Sequence, residues 1–239
     1  MIVSTQNNTR VNILDKDLSN TEIFNYIKKI NLNHDINFFY LGKQSYVDAW
    51  ELQKQLHESV KNNDIPSLVL YLEHDHVYTL GKNANSDFIL NNYPKDVQVI
   101  QTDRGGQVTY HGPGQLIGYP IINLNNYKKS ISWYMRALEQ VIISTLEQYD
   151  ISSSRKDGMT GVWVQDNKIC AMGVRLSRWV SMHGFALNIE PDMEYYDGMI
   201  PCGIQELGIT SLYELLEENI DVYETMDTIT QNFLKIFKV

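Results

Sequence analysis

Three separate parts of the sequence carry residues that could do chemistry. Residues 104 to 115 read RGGQVTYHGPGQ and concentrate four of the chain's 14 glycines beside an arginine and a histidine. Glycine clusters let a backbone adopt unusual torsion angles or approach a ligand closely. Cys202 stands between Pro201 and Gly203, a setting that favours an accessible sulfur, and Lys168 begins the run KICAMGVRL. The sequence therefore predicts a binding loop and two candidate reactive side chains.

The glycine-rich stretch matches neither of the two common phosphate-binding patterns. It contains no GxxxxGK[ST] and no GxGxxG sequence, and it leads into an apolar run at Leu116 instead of a helix. A helix N-terminus is the usual phosphate site in such loops. The pattern therefore favours a tight wall around an extended or apolar ligand, with backbone N–H groups as donors. The alternative is a structural turn in which His111 has its own hydrogen-bond partners.

Each candidate reactive residue also has a simpler interpretation. Cys202 could be a buried, inert thiol, because free cysteines are among the most buried residue types. Lys168 could be an exposed lysine after a tight turn, although the downstream segment HGFALNI and His111 could form a polar cluster with it. Cys170 alternates with apolar neighbours in a strand pattern and is predicted to serve packing alone.

The composition favours one globular domain with reduced thiols. The chain has 239 residues, enough for a single large core, and residues 1 to 239 are expected to form one domain with a loosely packed polar lead over about residues 1 to 35. Two cysteines do not make a disulfide framework. The N-terminal residues resemble neither a signal peptide nor a transit peptide, and no apolar run approaches the roughly 20 residues of a membrane span. A cytoplasmic location with no membrane partner is therefore expected.

The charge distribution bears on the kind of partner. The formal net charge is −9, which argues against nucleic acid, because binding it requires clustered Lys and Arg. Between residues 155 and 178, however, basic residues outnumber acidic ones: Arg155, Lys156, Lys168, Arg175 and Arg178 against Asp157 and Asp166. Such a patch can steer an acidic partner. The same residues would also be ordinary at solvated strand positions.

The spacing of apolar residues predicts helices and strands in an order typical of an α+β domain. Helices are predicted over residues 21–30 (capped by Asn20), 44–63, 130–149, 211–218 and 222–237, and strands over 67–73, 77–81, 97–103, 116–124, 161–165, 168–176 and 180–189. Helices before, between and after groups of strands favour this class over a doubly wound parallel sheet. A tight hairpin at Asp166 and Asn167 would set Lys168 at the start of its second strand.

Three motifs together resemble those of the lipoyl(octanoyl) transferases. They read RGGQVTYHGPGQLIGYPI, NKICAMGVRLSRWVSMHGFALNI and IPCGIQELGITSL, and the resemblance extends from about residue 67 to residue 212. It implies a single α+β domain with a mixed, mainly antiparallel sheet flanked by helices, like the catalytic core of biotin and lipoate protein ligases. It also implies transfer of an octanoyl group from octanoyl-acyl carrier protein to a lysine of lipoyl domains of 2-oxoacid dehydrogenases or of the glycine-cleavage H protein. No cofactor and no metal ion are expected.

The resemblance also assigns roles to residues. The family's nucleophile corresponds to Cys202 and its catalytic lysine to Lys168. Its substrate-binding residues correspond to Arg104, Gly105, Gly106, Gln107, Thr109, Tyr110, His111, Gly112, Gly114, Gln115, His183 and Gly184. The N-terminal lead, together with Ser181 and Met182, lies outside the family pattern.

These residue types suit the transfer of an acyl group from a thioester to an amine. Attack by a Cys202 thiolate would give a second thioester, and attack by a substrate lysine would then give an amide. A free thiol has a pKa of about 8.5 and needs a base or a cation, and Lys168 could be either. Backbone N–H groups near Gly203 or in the glycine-rich stretch could form an oxyanion hole, and Tyr110 and Tyr119 could wall an acyl slot.

Two other functions stay open on the sequence alone. An ATP-dependent lipoate or biotin ligase would share the fold and the lysine, but it would activate its acid as an adenylate and would need no cysteine nucleophile. A catalytically inactive module would bind an acyl carrier without transferring its acyl group.

Overall fold

The helices begin where a capping side chain precedes an amphipathic run. A computed structural model of the protein describes residues 2–4, 10–30, 32, 35–200 and 207–238. Within them, Ser19, Ser45, Ser130, Ser211 and Asp221 accept hydrogen bonds from the first turns of α1 (Asn20–Lys29), α2 (Tyr46–Lys61), α3 (Ile131–Leu146), α4 (Leu212–Leu216) and α5 (Val222–Phe237). The cap of α1 is therefore Ser19 and not Asn20. None of these helices is long and apolar enough to cross a membrane.

The strands belong to two sheets. They are β1 (Ile2–Ser4), β2 (Val11–Leu14), β3 (Ile36–Gln44), β4 (Ser67–His74), β5 (Val77–Leu80), β6 (Gln98–Gln101), β7 (Val108–His111), β8 (Gln115–Ile121), β9 (Ser154–Lys156), β10 (Met159–Val164), β11 (Asn167–Ser177), β12 (Val180–Asn188) and β13 (Gly208–Ile209). The larger sheet has the order β1-β2-β3-β4-β8-β12-β11-β10-β9, with β13 beside β11. The smaller sheet has the order β6-β5-β7.

The larger sheet is mixed and mainly antiparallel, as predicted. Strands β2, β3 and β4 run parallel to one another, and β13 runs parallel to β11. The remaining pairs of this sheet are antiparallel, including the hairpins β10–β11 and β11–β12. The fold is thus a single α+β domain. In its larger sheet the β11–β12 hairpin lies between β8 and β10.

Helices cover both faces of the larger sheet, so the core has two parts. On one face, Leu138 of α3 and Phe233 of α5 pack on the sheet in a cluster that includes Phe38. On the other face, Leu56 of α2 joins the cluster that contains Phe39. Phe38 and Phe39 are neighbours in β3 and point to opposite faces because side chains alternate along a strand. Full burial of one such side chain contributes about 1.5–3 kcal/mol to stability.

The described part of the N-terminal lead packs more closely than its composition predicts. Strand β2 pairs in parallel with β3, and Val11 is buried. The α1 residues Ile23 and Ile27 are buried against α2 and the sheet. The lead therefore extends the sheet and covers part of one face, because a few well-spaced apolar residues suffice to anchor a polar segment.

Candidate active site

A cavity of about 490 Å³ lies against the β11–β12 hairpin and is bounded by the glycine-rich stretch. Its walls come from the smaller sheet, from α2 through Tyr46, from β8 through Tyr119, and from the segments that carry Met159, Met199 and Ile209. Most of these contributions are apolar or aromatic. The cavity therefore has the character of a site for an apolar group with a few polar contacts.

Lys168 lies in this cavity wall at the start of β11. Its side chain is buried, and its Nζ atom lies 4.7 Å from the centroid of the Trp163 ring on the adjacent strand β10. A Cβ on Gly161 would lie 2.5 Å from the Cys170 carbonyl oxygen and 3.3 Å from Lys168 Cε, so glycine at this position lets β10 and the lysine stem pack closely. On the other edge of β11, Lys168 is the register partner of Ile209 in β13. The lysine is thus a fixed wall residue and not an exposed turn residue.

The glycine-rich stretch contains a strand of its own. Residues 108–111 form β7, which pairs antiparallel with β5 in the smaller sheet. The prediction that residues 104–115 form a loop throughout is therefore wrong. The run Val-Thr-Tyr favours a strand, but the glycines on both sides of it are typical of loops and concealed this preference. Gly106 and Gly114 have φ values of +90° and +83°, so these two positions do require glycine.

Arg104 is a buried residue of the cavity wall. Its guanidinium donates to the carbonyl oxygen and the hydroxyl of Thr79, at 2.7 and 2.8 Å, and to the carbonyl oxygen of Gly105. Burial lowers the pKa of Arg104, and no carboxylate of the described residues forms a salt bridge with it. Arg104 therefore shapes the cavity and lends it positive charge.

The charge of the cavity wall is predominantly positive. Arg104 and Lys168 line it, and the carboxylate side chain among its lining residues is the exposed Asp157. Burial lowers the pKa of His111 and of His183, so both imidazoles are neutral at pH 7. Such a wall favours a thiolate or a developing oxyanion over a neutral group. The described residues hold no group of three or more His, Cys, Asp or Glu side chains arranged for a metal ion.

The predicted substrate-binding residues divide into two groups. Those that line the cavity are Arg104, Gly106, Gln107, Thr109, His111, His183 and Gly184. Those that lie behind its wall are Gly105, Tyr110, Gly112, Gly114 and Gln115. Gln115 supports the wall directly: its Oε1 lies 3.3 Å from His111 Nδ1, and its amide nitrogen donates to the cavity-lining Tyr196 hydroxyl at 2.7 Å and to Asn188 at 3.0 Å.

The two tyrosines proposed for an acyl slot have different positions. Tyr119 lines the cavity, and its hydroxyl donates to His74 Nε2 at 2.7 Å. Tyr110 instead packs in the core of the smaller sheet, where its ring stacks on Tyr195 and its hydroxyl bonds His76. The strand alternation of β7 explains the difference, because Tyr110 points away from its cavity-lining neighbours Thr109 and His111.

Sequence reasoning missed the floor of the cavity. Ala171, Met172 and Gly173 of β11, together with Phe185 and Ala186 of β12, line it. Ala171 and Ala186 are cross-strand partners in the hairpin. The available signal was the pair of small-residue patterns CAMG and HGFA in adjacent strands, which only a known register brings together.

Two of the lining glycines sit where backbone meets backbone. A Cβ on Gly184 would lie 2.1 Å from the carbonyl oxygen of Gly118, and a Cβ on Gly173 would lie 2.6 Å from that of Gly105. The N–H of Gly105 donates to the Val174 carbonyl oxygen at 2.9 Å. The Gly173 contact and this hydrogen bond hold the glycine-rich stretch against the hairpin, and the Gly184 contact holds β12 against β8.

Of the two cysteines, Cys170 lies within the part of the chain that the structure describes. Cys170 is fully buried, and burial raises the pKa of its thiol, in keeping with the packing role predicted for it. Cys202, with Pro201 and Gly203, lies outside the described residues. Its role as nucleophile therefore stays a prediction.

Comparisons with known proteins identify the family and several relatives of this chain. Residues 45–234 match the family model of the lipoyl protein ligase A/B catalytic domain. An octanoyltransferase from Gloeobacter violaceus is 41% identical over 199 residues, which cover 83% of this chain and 88% of that protein. An octanoyltransferase from Flavobacterium johnsoniae is 42% identical over 228 residues, which cover 87% of this chain and 98% of that protein.

A solved structure extends the likeness to the fold. The bipartite lipoate protein ligase of Thermoplasma acidophilum, described with its E2 lipoyl domain, superposes with a TM-score of 0.63 at 12% identity and covers 83% of this chain and 82% of its own. At that identity the likeness concerns the fold alone, and it confirms the predicted ligase-like core. The family match and the two close relatives identify the chain as an acyltransferase enzyme, and it belongs to the octanoyltransferases of the lipoyl protein ligase A/B catalytic domain family.

Proposed function

We propose that this enzyme moves an octanoyl group from octanoyl-acyl carrier protein to a lysine of lipoyl domains or of H protein, through a thioester on Cys202. The reaction would be the first step of endogenous lipoate biosynthesis. One observation carries the proposal: Lys168 and the described residues on both sides of the Cys202 segment line the same cavity. Met199 precedes Cys202 by three residues, and Ile209 is the register partner of Lys168. A chain spans at most about 3.6 Å per residue. This short connection to Met199 supports the proposal that the Cys202 thiol reaches Lys168.

The cavity suits a medium-length acyl chain. Its floor of Ala171, Met172 and Ala186 and the side chains Met159 and Met199 offer apolar contact. Burial stabilises an alkyl chain by about 0.8 kcal/mol for each methylene. An eight-carbon group would therefore gain several kcal/mol here, which supports octanoyl as the transferred group.

The chemistry follows in two balanced steps. The Cys202 thiolate attacks the donor carbonyl carbon, a carbon–sulfur bond to the enzyme forms as the bond to the carrier sulfur breaks, and the carrier leaves as a thiol with a proton from the Lys168 ammonium. The acceptor amine then attacks the same carbon, an amide forms, and the cysteine sulfur leaves. The Lys168 ammonium would stabilise the thiolate in the first step, and its neutral amine would accept a proton from the incoming lysine in the second.

Hydrogen bonds within the protein exclude some backbone N–H groups as donors to an oxyanion. The N–H of Gly105 donates to the Val174 carbonyl oxygen, and that of Gly114 donates to the Glu73 carboxylate at 2.8 Å. These two groups are occupied and are poor candidates. The segment around Gly203 and the cavity-lining residues Gly106 and Gln107 therefore remain the proposed sources of an oxyanion hole.

Intact-mass spectrometry tests the proposal. After the protein is mixed with octanoyl-acyl carrier protein alone, we expect its mass to increase by one octanoyl group, and we expect a lipoyl domain to remove that adduct. A ligase would instead need ATP and free octanoate and would form no adduct with the carrier. Absence of the adduct together with ATP-dependent transfer would therefore favour the ligase, and absence of both would favour an inactive carrier-binding module.

The basic stretch between residues 155 and 178 is partly neutralised by neighbouring carboxylates. Its salt bridges join Arg155 to Glu139 at 3.0 Å, Lys156 to Asp166 at 2.5 Å and Arg175 to Asp103 at 2.6 Å. Arg178 is exposed and forms no salt bridge with the part of the chain that the structure describes. Arg178 is therefore the residue of this stretch best suited to attract an acidic carrier protein.

We expect the kcat/KM for the carrier to fall as salt is added, because exposed charges are screened over about 8–10 Å. Arg178→Gln should lower kcat/KM at low salt and weaken its salt dependence. Lys29→Gln, at an exposed position on α1, removes the same charge elsewhere and should change neither. A rate that is independent of salt, or equal effects of the two variants, would count against docking at Arg178.

A further inference from the structure

The Asp103 carboxylate joins three segments that surround the cavity. Asp103 immediately precedes the glycine-rich stretch. Its Oδ1 accepts a hydrogen bond from His183 Nε2 at 2.7 Å, and its Oδ2 accepts one from Arg175 Nη1 at 2.6 Å. Arg175 belongs to β11 and His183 to β12. One carboxylate thus ties the glycine-rich stretch to both strands of the hairpin.

His183 is held in an uncommon backbone conformation. It is buried in the cavity wall and has a φ of +57°, a value that residues other than glycine adopt only occasionally. Its backbone N–H donates to the Gln53 side-chain oxygen at 2.8 Å. Backbone strain of this kind persists only where surrounding contacts enforce it, and it concentrates at functional sites. Gln53 fixes the backbone of His183, and Asp103 fixes its ring.

The same contact decides the tautomer of His183. Burial lowers the pKa of His183, and the hydrogen bond from His183 lowers the pKa of Asp103, so a neutral imidazole faces a carboxylate. An ionised carboxylate can only accept, so the proton of the ring is on Nε2. Nδ1 is then unprotonated, and this buried atom has no hydrogen-bond partner among the described residues. A proton on Nδ1 would be a buried donor without an acceptor, which is unfavourable.

We propose that Asp103 is a positioning residue for octanoyl transfer, which acts by holding His183 as its Nε2–H tautomer in the cavity wall. Arg175 contributes less, because its side chain is 41% exposed and an exposed ion pair is weak. The role of Asp103 in transfer rests on the proposed function. Its pairing with His183 does not.

Two substitutions of Asp103 separate this role from a simple ion pair. Asp103→Ala removes the acceptor for His183 and the partner of Arg175. Asp103→Asn keeps an oxygen for His183 Nε2–H, but it removes the charge and replaces the oxygen that accepts from Arg175 by an amide NH2 group. We expect kcat/KM for acyl-enzyme formation to fall about 10- to 100-fold in Asp103→Ala, the scale for displaced site geometry, and by at most about fivefold in Asp103→Asn and in Arg175→Gln.

A double-mutant cycle ties the effect to the histidine. Asn tolerates a positive φ, so His183→Asn removes the ring and keeps the backbone. In that background Asp103→Ala should cost no more than about fivefold, the loss allowed for the Arg175 pair, because the effects of coupled residues are not additive. As a matched control, Glu51→Gln breaks the exposed ion pair between Glu51 and Lys54 on α2 and should leave kcat/KM unchanged.

Nitrogen-15 NMR of the histidine rings gives a readout that needs no substrate. We expect the Nε2–H tautomer of His183 in the native protein and in Asp103→Asn, and a mixture of tautomers in Asp103→Ala. The inference is overturned if Asp103→Asn is as impaired as Asp103→Ala, if Asp103→Ala is fully active, or if its cost is the same in the His183→Asn background. Should the native protein form no octanoyl adduct, the proposed function fails, whereas the tautomers still test the pairing.

Discussion

Replacement of Cys202 by alanine is expected to abolish both octanoyl transfer and the octanoyl adduct on the enzyme. The reason is chemical: the proposed intermediate is a thioester, and alanine offers no atom to carry the acyl group. The measurement is intact mass after incubation with octanoyl-acyl carrier protein, followed by a transfer assay with a lipoyl domain. Cys202→Ser should likewise lose the thioester adduct, because an unactivated hydroxyl is a poor nucleophile.

The second cysteine provides the matched control for that experiment. Cys170 is fully buried in the sheet, and burial raises the pKa of its thiol, so it is not a nucleophile at neutral pH. Cys170→Ala should keep both the adduct and the transfer activity, apart from a loss of stability from the small cavity. An adduct that persists in Cys202→Ala and disappears in Cys170→Ala would reverse the assignment of the nucleophile.

Replacement of Lys168 by methionine is expected to lower the rate of acyl-enzyme formation by about 10²- to 10⁴-fold, the range for a positioned acid–base group. Methionine keeps an unbranched stem beside Trp163 but removes the charge and the exchangeable proton. Lys168 lies in the wall of a cavity whose other positively charged lining residue is Arg104. Single-turnover kinetics with the octanoyl carrier measure the step directly.

A second lysine, Lys156, also contacts the Trp163 ring and provides a control for the substitution of Lys168. Lys156 Nζ lies 5.2 Å from the Trp163 centroid, close to the 4.7 Å of Lys168, but Lys156 does not line the cavity. Lys156→Met removes a similar cation–π contact and should leave the single-turnover rate within about threefold of the native value, because Lys156 lies outside the cavity wall and its ion pair is with the exposed Asp166. Equal losses in the two variants would mean that the lysines act through Trp163 packing and not through chemistry.

Regular, strongly periodic segments were predictable from the sequence. The C-terminal helix occurs at residues 222–237 as predicted, and the strands over residues 67–73 and 180–189 differ from β4 and β12 by one residue at an end. In these segments the local pattern and the tertiary environment agree: α5 buries one apolar face, and β4 and β12 are short runs that are buried along nearly their whole length.

The missed elements depend on partners distant in sequence. Strand β3 (Ile36–Gln44) is buried on both faces over residues 36–41, so its run of apolar residues shows no alternation, and it pairs in parallel with β2 and β4. Strand β7 is too short to stand out and exists because β5 pairs with it. Parallel and cross-sheet pairings of this kind cannot be inferred from local propensity.

The candidate site was predictable in its residues but not in its arrangement. The glycine-rich stretch, Lys168 and His183 were identified from motifs, and the structure brings them to one cavity. Asp103 and the Ala171–Ala186 pair were not identified, because their contributions depend on a hydrogen bond across 80 residues and on the register of a hairpin.

The glycine contacts also determine where this cavity could be redesigned. Gly173 and Gly184 meet backbone carbonyl oxygens, so any side chain at either position would push strands or the glycine-rich stretch apart instead of merely narrowing the cavity. Ala171 and Ala186 line the cavity as cross-strand partners and carry no such restriction from the backbone. An engineer who wishes to change the acyl length that this scaffold accepts should therefore vary the two alanines and leave the glycines untouched.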